Sequence, residues 1–177
     1  MMPAGVHLLG PRLRLEPFLE SSLNPEYLGW LNDPQVTRFS NQRFRTHTAE
    51  TVRSYIASFA GTVNLLLAIR LADSGRLIGT ITAYLAEPHR TADMGLMIGD
   101  RGCWGHGYGL EAWSSLMGHL LGPLGLRKVT GGCVRANVGM LTIMERSGMH
   151  LEAVRRRQEI VDGVEEDVLY FARFRDS

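Results

Sequence analysis

Asp100-Arg-Gly-Cys-Trp-Gly-His-Gly-Tyr-Gly109 is the most informative segment of this 177-residue chain. It lies between a hydrophobic segment typical of a strand and an amphipathic segment typical of a helix. Glycine stands at positions 102, 105, 107 and 109, so the backbone can turn tightly and approach a ligand closely. A helix that begins after such a loop directs free N–H groups and the positive end of its dipole at one point. The segment therefore predicts a site for a phosphate group.

Two common phosphate-binding motifs do not fit this loop. The chain has no Gly-x-x-x-x-Gly-Lys-Ser/Thr, and the spacing Gly105-x-Gly107-x-Gly109 differs from the Gly-x-Gly-x-x-Gly of dinucleotide-binding proteins. A glycine-rich loop also occurs as a simple mobile turn. The strand–loop–helix setting is what favours ligand binding here.

Length and composition predict one domain over residues 1–177. The hydrophobic content of 45% is enough for a single sizeable core. Lys and Arg number 19 against 18 for Asp and Glu, which argues against nucleic-acid binding by bulk charge, so we expect no nucleic-acid partner, with a local basic patch as the alternative. Cys103 and Cys133 lack the short spacing of a metal-ligand pair, and the histidines outside the loop lack metal-ligand spacing, so we expect no metal.

The N-terminus and the hydropathy pattern bear on localisation. Met1-Met-Pro-Ala-Gly5 has no basic region followed by an apolar region, and no apolar run reaches membrane-spanning length. We therefore expect a soluble cytoplasmic protein with no membrane partner, present as a monomer or a homodimer.

Hydrophobic periodicity and turn residues predict the order β α α β β β α β α β β. Strands are predicted over 13–18, 65–71, 76–85, 93–99, 128–135, 153–161 and 165–174, and helices over 25–31, 48–59, 110–121 and 137–145. This order implies an α/β protein with a mixed, mostly antiparallel sheet and helices on both faces.

The glycine-rich loop resembles the acyl-CoA pyrophosphate loop of the GNAT N-acetyltransferase superfamily, whose pattern is Gln/Arg-x-x-Gly-x-Gly/Ala. Trp104 takes the first place of that pattern, and Gly107 and Gly109 take the glycine places. The string Trp-Gly-His-Gly-Tyr-Gly-Leu-Glu-Ala over 104–112 is most similar to the ribosomal-protein N-acetyltransferase branch. The resemblance also extends to the element order, from about residue 13 to residue 174.

The resemblance implies a GNAT fold with a V-shaped split between the two central strands, and acyl-CoA in that gap. Unpaired N–H and C=O groups along a strand edge suit the amide-rich pantetheine arm. The alternative is that both strands pair normally and nothing binds. The residues that the resemblance assigns to acetyl-CoA binding are Met97, Ile98, Trp104, Gly105, His106, Gly107, Tyr108, Gly109 and Asn137.

A second segment, from Asn137 to Met149, is similar to the family's Asn-x-x-Ser…Glu-Lys-x-Gly-Phe pattern. Asn137 fits the asparagine that the family places against the pantetheine arm, and it also suits a helix N-cap, so both roles stay open. Met140 stands where the pattern has serine, and Met144 stands where many relatives have tyrosine. The resemblance implies that those hydroxyls donate a proton to the leaving thiolate, and this chain lacks both.

The implied reaction is attack of a neutral amine on the thioester of acetyl-CoA. A thiol pKa near 8.5 makes the thiolate a tolerable leaving group, so a proton donor helps but is not obligatory. The catalytic residue that we expect is Asp93, which precedes the loop and would accept the amine proton, directly or through water. Asp93 as a polar strand end is the alternative. Glu111 is expected to stabilise a helix N-terminus.

We therefore expect an N-acetyltransferase that acts by direct attack in a ternary complex on a primary amine, either a protein N-terminus or a small-molecule amine. Similar chains acetylate amino sugars, antibiotics and polyamines, and the near-neutral charge selects none of them. The alternative is a non-catalytic acyl-CoA-binding regulatory or sensor module, which the missing serine and tyrosine favour. In this family the segment that contains Trp30, Phe39, Arg43 and Phe44 covers the acceptor, and core packing is the favoured alternative for its aromatic residues.

Overall fold

The computed structural model describes residues 5–176, so the expectation drawn from residues 1–4 lies outside the described part. The strands are β1 (Leu8–Leu9), β2 (Leu13–Pro17), β3 (Leu65–Leu71), β4 (Leu77–Ala86), β5 (Thr91–Ile98), β6 (Lys128–Val134), β7 (His150–Val161) and β8 (Val164–Phe174). The α-helices are α1 (Pro25–Leu31), α2 (Pro34–Thr37), α3 (Ala49–Ala57), α4 (Tyr108–Leu121) and α5 (Val138–Arg146).

These strands form an eight-stranded sheet in the order β1-β2-β3-β4-β5-β6-β8-β7. Neighbouring strands run antiparallel, apart from the parallel pair β5 and β6. The predicted mixed, mostly antiparallel sheet is therefore confirmed. That the whole of residues 1–177 acts as one domain stays a prediction.

The two central strands separate along their length. The parallel ladder joins β5 to β6 as far as Met94 and Gly131, whereas β5 continues to Ile98 and β6 to Val134. Because no ladder connects the remaining residues, one edge of each strand faces a gap. This gap is the V-shaped split that the sequence predicts.

Side-chain alternation along the strands sends apolar residues to both faces of the sheet, and helices cover each face. On one face, α4 and α5 contribute Trp113, Leu116 and Met144 to the main core. On the other face, α1 and α3 bury Tyr27 and Val52 in a second cluster. The prediction of helices on both faces is confirmed.

Two short elements, β1 and α2, were not predicted from the sequence. Asn32-Asp33-Pro34 ends α1 as expected, but the same residues also begin α2. The Asp33 carboxylate accepts a hydrogen bond from the Gln35 amide at 2.8 Å, and Pro34 occupies the first helical position. A stop signal for one helix is therefore the start signal of the next.

The close contact of β4 with the end of β5 gives a stability test. A Cβ on Gly79 would lie 2.1 Å from the Met97 carbonyl oxygen, a clash that backbone displacement alone relieves. We expect Gly79→Ala to lower the free energy of unfolding by about 1–3 kcal/mol, the range for overpacking. The control is Gly118→Ala in α4, whose Cβ would meet no atom within 4 Å and whose helix propensity improves. Denaturant unfolding measures both, and a Gly79→Ala protein as stable as wild type would contradict this packing.

Candidate active site

The split between β5 and β6 opens into a cleft of about 1580 Å³. The lining residues between positions 94 and 146 come from β5, the glycine-rich loop, α4, β6 and α5, and we call them the loop half. The lining residues between positions 27 and 84, together with Asp162, form the opposite wall, and we call them the tyrosine half. The two halves meet along the sheet, so a ligand in the split lies within reach of both.

Three glycines of the loop have different structural tasks. Gly105 and Gly107 have φ values of 76° and 80°, a left-handed conformation that favours glycine. Gly109 is needed for close packing, because a Cβ there would lie 2.8 Å from Ile143 Cδ1 and 3.3 Å from Leu96 Cδ2. The loop shape therefore depends on backbone freedom at two positions and on small size at the third.

The N-terminus of α4 points its amides into the cleft. The Glu111 amide donates to the Gly107 carbonyl at 3.1 Å and closes the first turn of the helix. The amides of Tyr108, Gly109 and Leu110 precede that bond, so they have no carbonyl one turn earlier. Tyr108, Gly109 and Leu110 all line the cleft. This arrangement suits an anion such as a phosphate group.

Arg12, which no sequence pattern indicated, binds both this loop and the first turn of α4. Its Nε donates to Glu111 Oε2 at 2.7 Å, its backbone N–H donates to Glu111 Oε1 at 3.0 Å, and its Nη1 donates to the His106 carbonyl at 2.8 Å. The guanidinium also lies over the Tyr108 ring, 4.6 Å from its centroid. Glu111 therefore binds Arg12 in addition to standing in the first turn of α4. No local pattern joins residues that are 99 positions apart.

The backbone groups of β5 point alternately towards β4 and towards β6. The Ala92 carbonyl faces β6, since it accepts a hydrogen bond from Thr130 Oγ1 at 3.3 Å. The ladder with β4 continues without a bulge, so Leu96 and Ile98 direct their backbone groups into the split and Met97 directs its own towards β4. Of the two predicted pantetheine-binding residues, Ile98 thus faces the gap, and Leu96 joins it.

Trp104 closes part of that strand edge. Its indole Nε1 donates to the Ile98 carbonyl at 2.7 Å, and 43% of the residue surface stays exposed. The Ile98 carbonyl is therefore already engaged, whereas the other backbone groups on this edge remain available to a ligand. Trp104 occupies the first place of the loop pattern and fixes the loop to the strand.

Asn137 caps α5 and lines the cleft. Its Oδ1 accepts a hydrogen bond from the Met140 amide at 3.1 Å, which leaves the side-chain NH2 group for a ligand. Met140 also lines the cleft, whereas Met144 is fully buried in the main core. Neither position supplies a hydroxyl to the cleft.

Asp93 lies before the point where the strands separate. Its Oδ1 accepts a hydrogen bond from Thr130 Oγ1 at 2.7 Å, and it pairs in register with Tyr84 of β4. Desolvation raises the pKa of the Asp93 carboxyl, and the bond from Thr130 offsets part of that rise. The structure does not place Asp93 among the residues, within 5–176, that line the cleft. Its role as a base stays a prediction.

The tyrosine half contains a hydroxyl pair that no motif indicated. Tyr55 Oη of α3 and Tyr84 Oη of β4 lie 2.9 Å apart and share a hydrogen bond. Desolvation, followed by the bond with Tyr84, raises the pKa of Tyr55. Burial also raises the pKa of Tyr27, which lines the same wall. Tyr55 therefore stays protonated at neutral pH, and its hydroxyl pair with Tyr84 can donate a hydrogen bond into the cleft.

Residues 5–176 show neither a metal-binding cluster nor a membrane-spanning helix. Within residues 5–176, no three His, Cys, Asp or Glu side chains are arranged to hold a metal ion. In the same range, no helix is long and apolar enough to cross a membrane.

Comparison with known proteins identifies the family. The family model described as "Acetyltransferase (GNAT) domain" matches residues 12–150. The chain belongs to the GNAT acetyltransferase family. The match covers the loop, α4, the split strands and α5, which are the parts that build the loop half of the cleft.

Individual relatives of this GNAT chain are distant. The Bacillus subtilis protein named "Probable N-acetyltransferase YjcK" is 29% identical over 98 residues, and the match spans 54% of each chain, about half of that relative. A GNAT-family acetyltransferase structure from Bacillus anthracis has a TM-score of 0.83 at 18% identity, over 97% of this chain and 100% of that one. RimL, a ribosomal L7/L12 α-N-protein acetyltransferase in complex with coenzyme A, has a TM-score of 0.82 at 16% identity, over 96% and 98%. At these identities the two structures share the fold.

The Cys133 thiol gives a test of the cleft wall. It is half-buried there, and burial raises its pKa to about 12. Because the thiolate is the reactive form, we expect alkylation by iodoacetamide to be slow at pH 8 and to rise about tenfold per pH unit up to pH 10. An ordinary thiol with a pKa of about 8.5 would level off near pH 9. Peptide mass spectrometry separates Cys133 from Cys103, and a plateau below pH 9 at Cys133 would contradict this environment.

Proposed function

We propose that this GNAT protein is an N-acetyltransferase that moves the acetyl group of acetyl-CoA to a primary amine by direct attack in a ternary complex. The observation that carries the proposal is the free strand edge of β5 beside the free amides of α4. Acetyl-CoA has an amide-rich arm that suits the first feature and a pyrophosphate that suits the second. The acceptor is a protein N-terminus or a small-molecule amine.

In this proposal the pyrophosphate binds the amides between Gly105 and Gly109, including those of His106, Gly107 and Tyr108. The free amides of α4 and the two left-handed glycines support this placement. Arg12 acts as a positioning residue, because it binds the His106 carbonyl and stacks on Tyr108 without lining the cleft.

The pantetheine arm then lies along β5. The backbone groups of Leu96 and Ile98 face the split, and Met97 lines the cleft with its side chain on the opposite sheet face. Trp104 holds the edge to the loop, and the side-chain amide of Asn137 is free to bind an arm carbonyl from the other side. The acyl end reaches the point where the strands meet, beside the tyrosine half.

The protein accelerates this reaction mainly by positioning the amine beside the thioester, and less by general acid–base catalysis. Holding the amine beside the thioester carbonyl removes much of the entropic barrier, and backbone amides polarise the carbonyl. An α-amino group with a pKa near 8 needs less deprotonation than a lysine-like amine with a pKa near 10.4. In the absence of hydroxyls at Met140 and Met144, the Tyr55–Tyr84 pair offers a hydrogen bond from the cleft wall to the leaving thiolate, which departs without full protonation because a thiol pKa is near 8.5.

The proposal extends to the branch and the assembly. The string over 104–112 supports the ribosomal-protein N-acetyltransferase branch and hence a protein N-terminus as acceptor. We further propose that residues 1–177 act as one domain, as a monomer or a homodimer, in the cytoplasm and without a metal.

Turnover of acetyl-CoA tests the function. We expect thiol release from acetyl-CoA with at least one member of an amine panel that includes peptides with free N-termini, and micromolar-range binding of CoA by calorimetry. Gly107→Val should abolish binding, because the position has a φ of 80° and a Cβ would crowd Arg12 Nη2 at 3.4 Å. Gly118→Ala, in the same protein region but with open space at the Cβ, is the matched control and should bind as wild type does.

The outcomes separate the two functions. CoA binding without turnover of any amine would favour the regulatory or sensor module. Wild-type affinity in a folded Gly107→Val protein would contradict the pyrophosphate site.

A separate variant tests the base. If the Asp93 carboxylate accepts the amine proton, Asp93→Asn should lower kcat by about 10²-fold, within the usual range for a lost general base, while the affinity for acetyl-CoA stays constant. Since the pKa of Asp93 is raised, wild-type kcat should fall as pH drops through that value, and the variant should lack this limb. Asp73→Asn, in the exposed turn between β3 and β4, is the control. Unchanged kcat in Asp93→Asn would reduce Asp93 to a structural strand residue.

A further inference from the structure

Charge is distributed unevenly around the tyrosine half of the cleft. Among the lining residues within 5–176, Asp162 is the one carboxylate, and Arg38 binds its Oδ2 through Nε at 2.9 Å and Nη2 at 2.8 Å. The same wall contains Arg45 and His47. Beyond the Arg38–Asp162 pair, the guanidinium of Arg45 gives this wall a positive charge, and the wall has no free carboxylate among residues 5–176.

Arg45 has no partner of its own. Its side chain is exposed and forms no hydrogen bond or ion pair with any residue of the described range. Its backbone, in contrast, is fixed: the Arg45 amide donates to the Gln42 carbonyl at 3.1 Å. Two residues on, Asn32 bonds both backbone groups of His47 at 2.9 Å. The backbone that carries Arg45 is therefore fixed at the cleft wall, while the guanidinium keeps its donors unused.

Carboxylates near this wall are engaged elsewhere. Glu159 lies 3.9 Å from Arg43, Asp33 lies 3.7 Å from Arg101, and Asp93 accepts the bond from Thr130. None of these three carboxylates lines the cleft in the described chain. The Arg45 guanidinium therefore has no counter-charge that the protein supplies.

We propose that the acceptor amine also carries an anionic group, a carboxylate or a phosphate, and that Arg45 binds this group. The inference rests on the proposed acetyltransferase function and names the substrate class of the same site. A guanidinium binds both groups with paired, charge-assisted hydrogen bonds. A polyamine would instead bring a second cation to a wall with no free carboxylate, which disfavours it electrostatically. The remaining polar groups of this wall are hydroxyls, the side-chain amides of Gln35 and Gln42, and the His47 ring, so the wall has no free carboxylate for a second ammonium group.

Pairs of acceptors that share the amine and differ in the anionic group test this inference. Glycylglycine and glycylglycinamide share the attacking amine and differ in the carboxylate, and phosphoethanolamine and ethanolamine differ in the phosphate. We expect kcat/KM to be about tenfold or more higher for the anionic member of at least one pair, and spermidine to be a poor acceptor. The pair with the larger ratio identifies carboxylate or phosphate. Removing the carboxylate lowers the pKa of the amine, which works against the expected preference, so a positive result is not a basicity effect.

Arg45→Gln should remove the preference by lowering kcat/KM for the anionic member to the level of the neutral member. Arg53→Gln is the matched control, since Arg53 on α3 pairs with Glu20 at 2.8 Å and lies outside the cleft lining. Equal use of both members by wild type, a preference for spermidine, or a preference retained in Arg45→Gln would overturn the inference.

A binding experiment distinguishes failure of this inference from failure of the proposed acetyltransferase function. The same acceptors are titrated calorimetrically into the protein saturated with CoA, where no turnover occurs. Arg45-dependent binding of the anionic member without acetylation of any amine would retain the anion site and reject the transferase. Acetylation together with equal binding of both members would retain the transferase and reject the anion site. Failure of every anionic acceptor to bind would overturn the anion site.

Discussion

The separation of β5 from β6 beyond Met94 and Gly131 is the constraint on which the cleft depends. Two strands with free edges would normally pair, so side chains must hold them apart. Gly131 lets the Trp113 ring approach to 2.8 Å of its Cβ position, and Gly109 lets Ile143 approach equally closely. Trp113 of α4 thereby packs at the last paired position of β6, and Ile143 of α5 packs against the first turn of α4. Glycine at positions 131 and 109 leaves room for these two side chains beside the split.

The loop beside the gap is fixed by residues from the other end of the chain. A surface ion pair contributes little by itself, but Arg12 and Glu111 join two strong side-chain contacts to a backbone bond and a ring contact. Trp104 adds a second attachment, from the loop to β5. With both sides of the loop attached, the α4 amides are oriented before any ligand arrives, which lowers the entropic cost of binding.

The parts of this structure that could be predicted are those with a local signal. Glycine spacing indicated the loop, periodicity indicated the main elements, and Asn137 was recognised as a cap. Arg12 and the Tyr55–Tyr84 pair could not be predicted, because their partners lie far along the chain and each residue alone is unremarkable on a strand or a helix. The backbone direction of Met97 was likewise inaccessible, since it depends on the register with β4. Turns, caps and periodic elements depend on residues that are close in sequence, whereas the contacts that build this site join residues that are distant in sequence.

The charge of the tyrosine half and the chemistry of amine attack are physically linked. An ammonium group beside its own carboxylate is stabilised by that carboxylate, which raises the amine pKa and disfavours the neutral, attacking form. When Arg45 pairs with the acceptor's anion, this stabilisation is lost and the amine pKa falls. If Arg45 binds the acceptor as proposed, the positive wall also favours the neutral, reactive form of the amine. That effect would lower the demand on a general base in a cleft whose lining does not include Asp93.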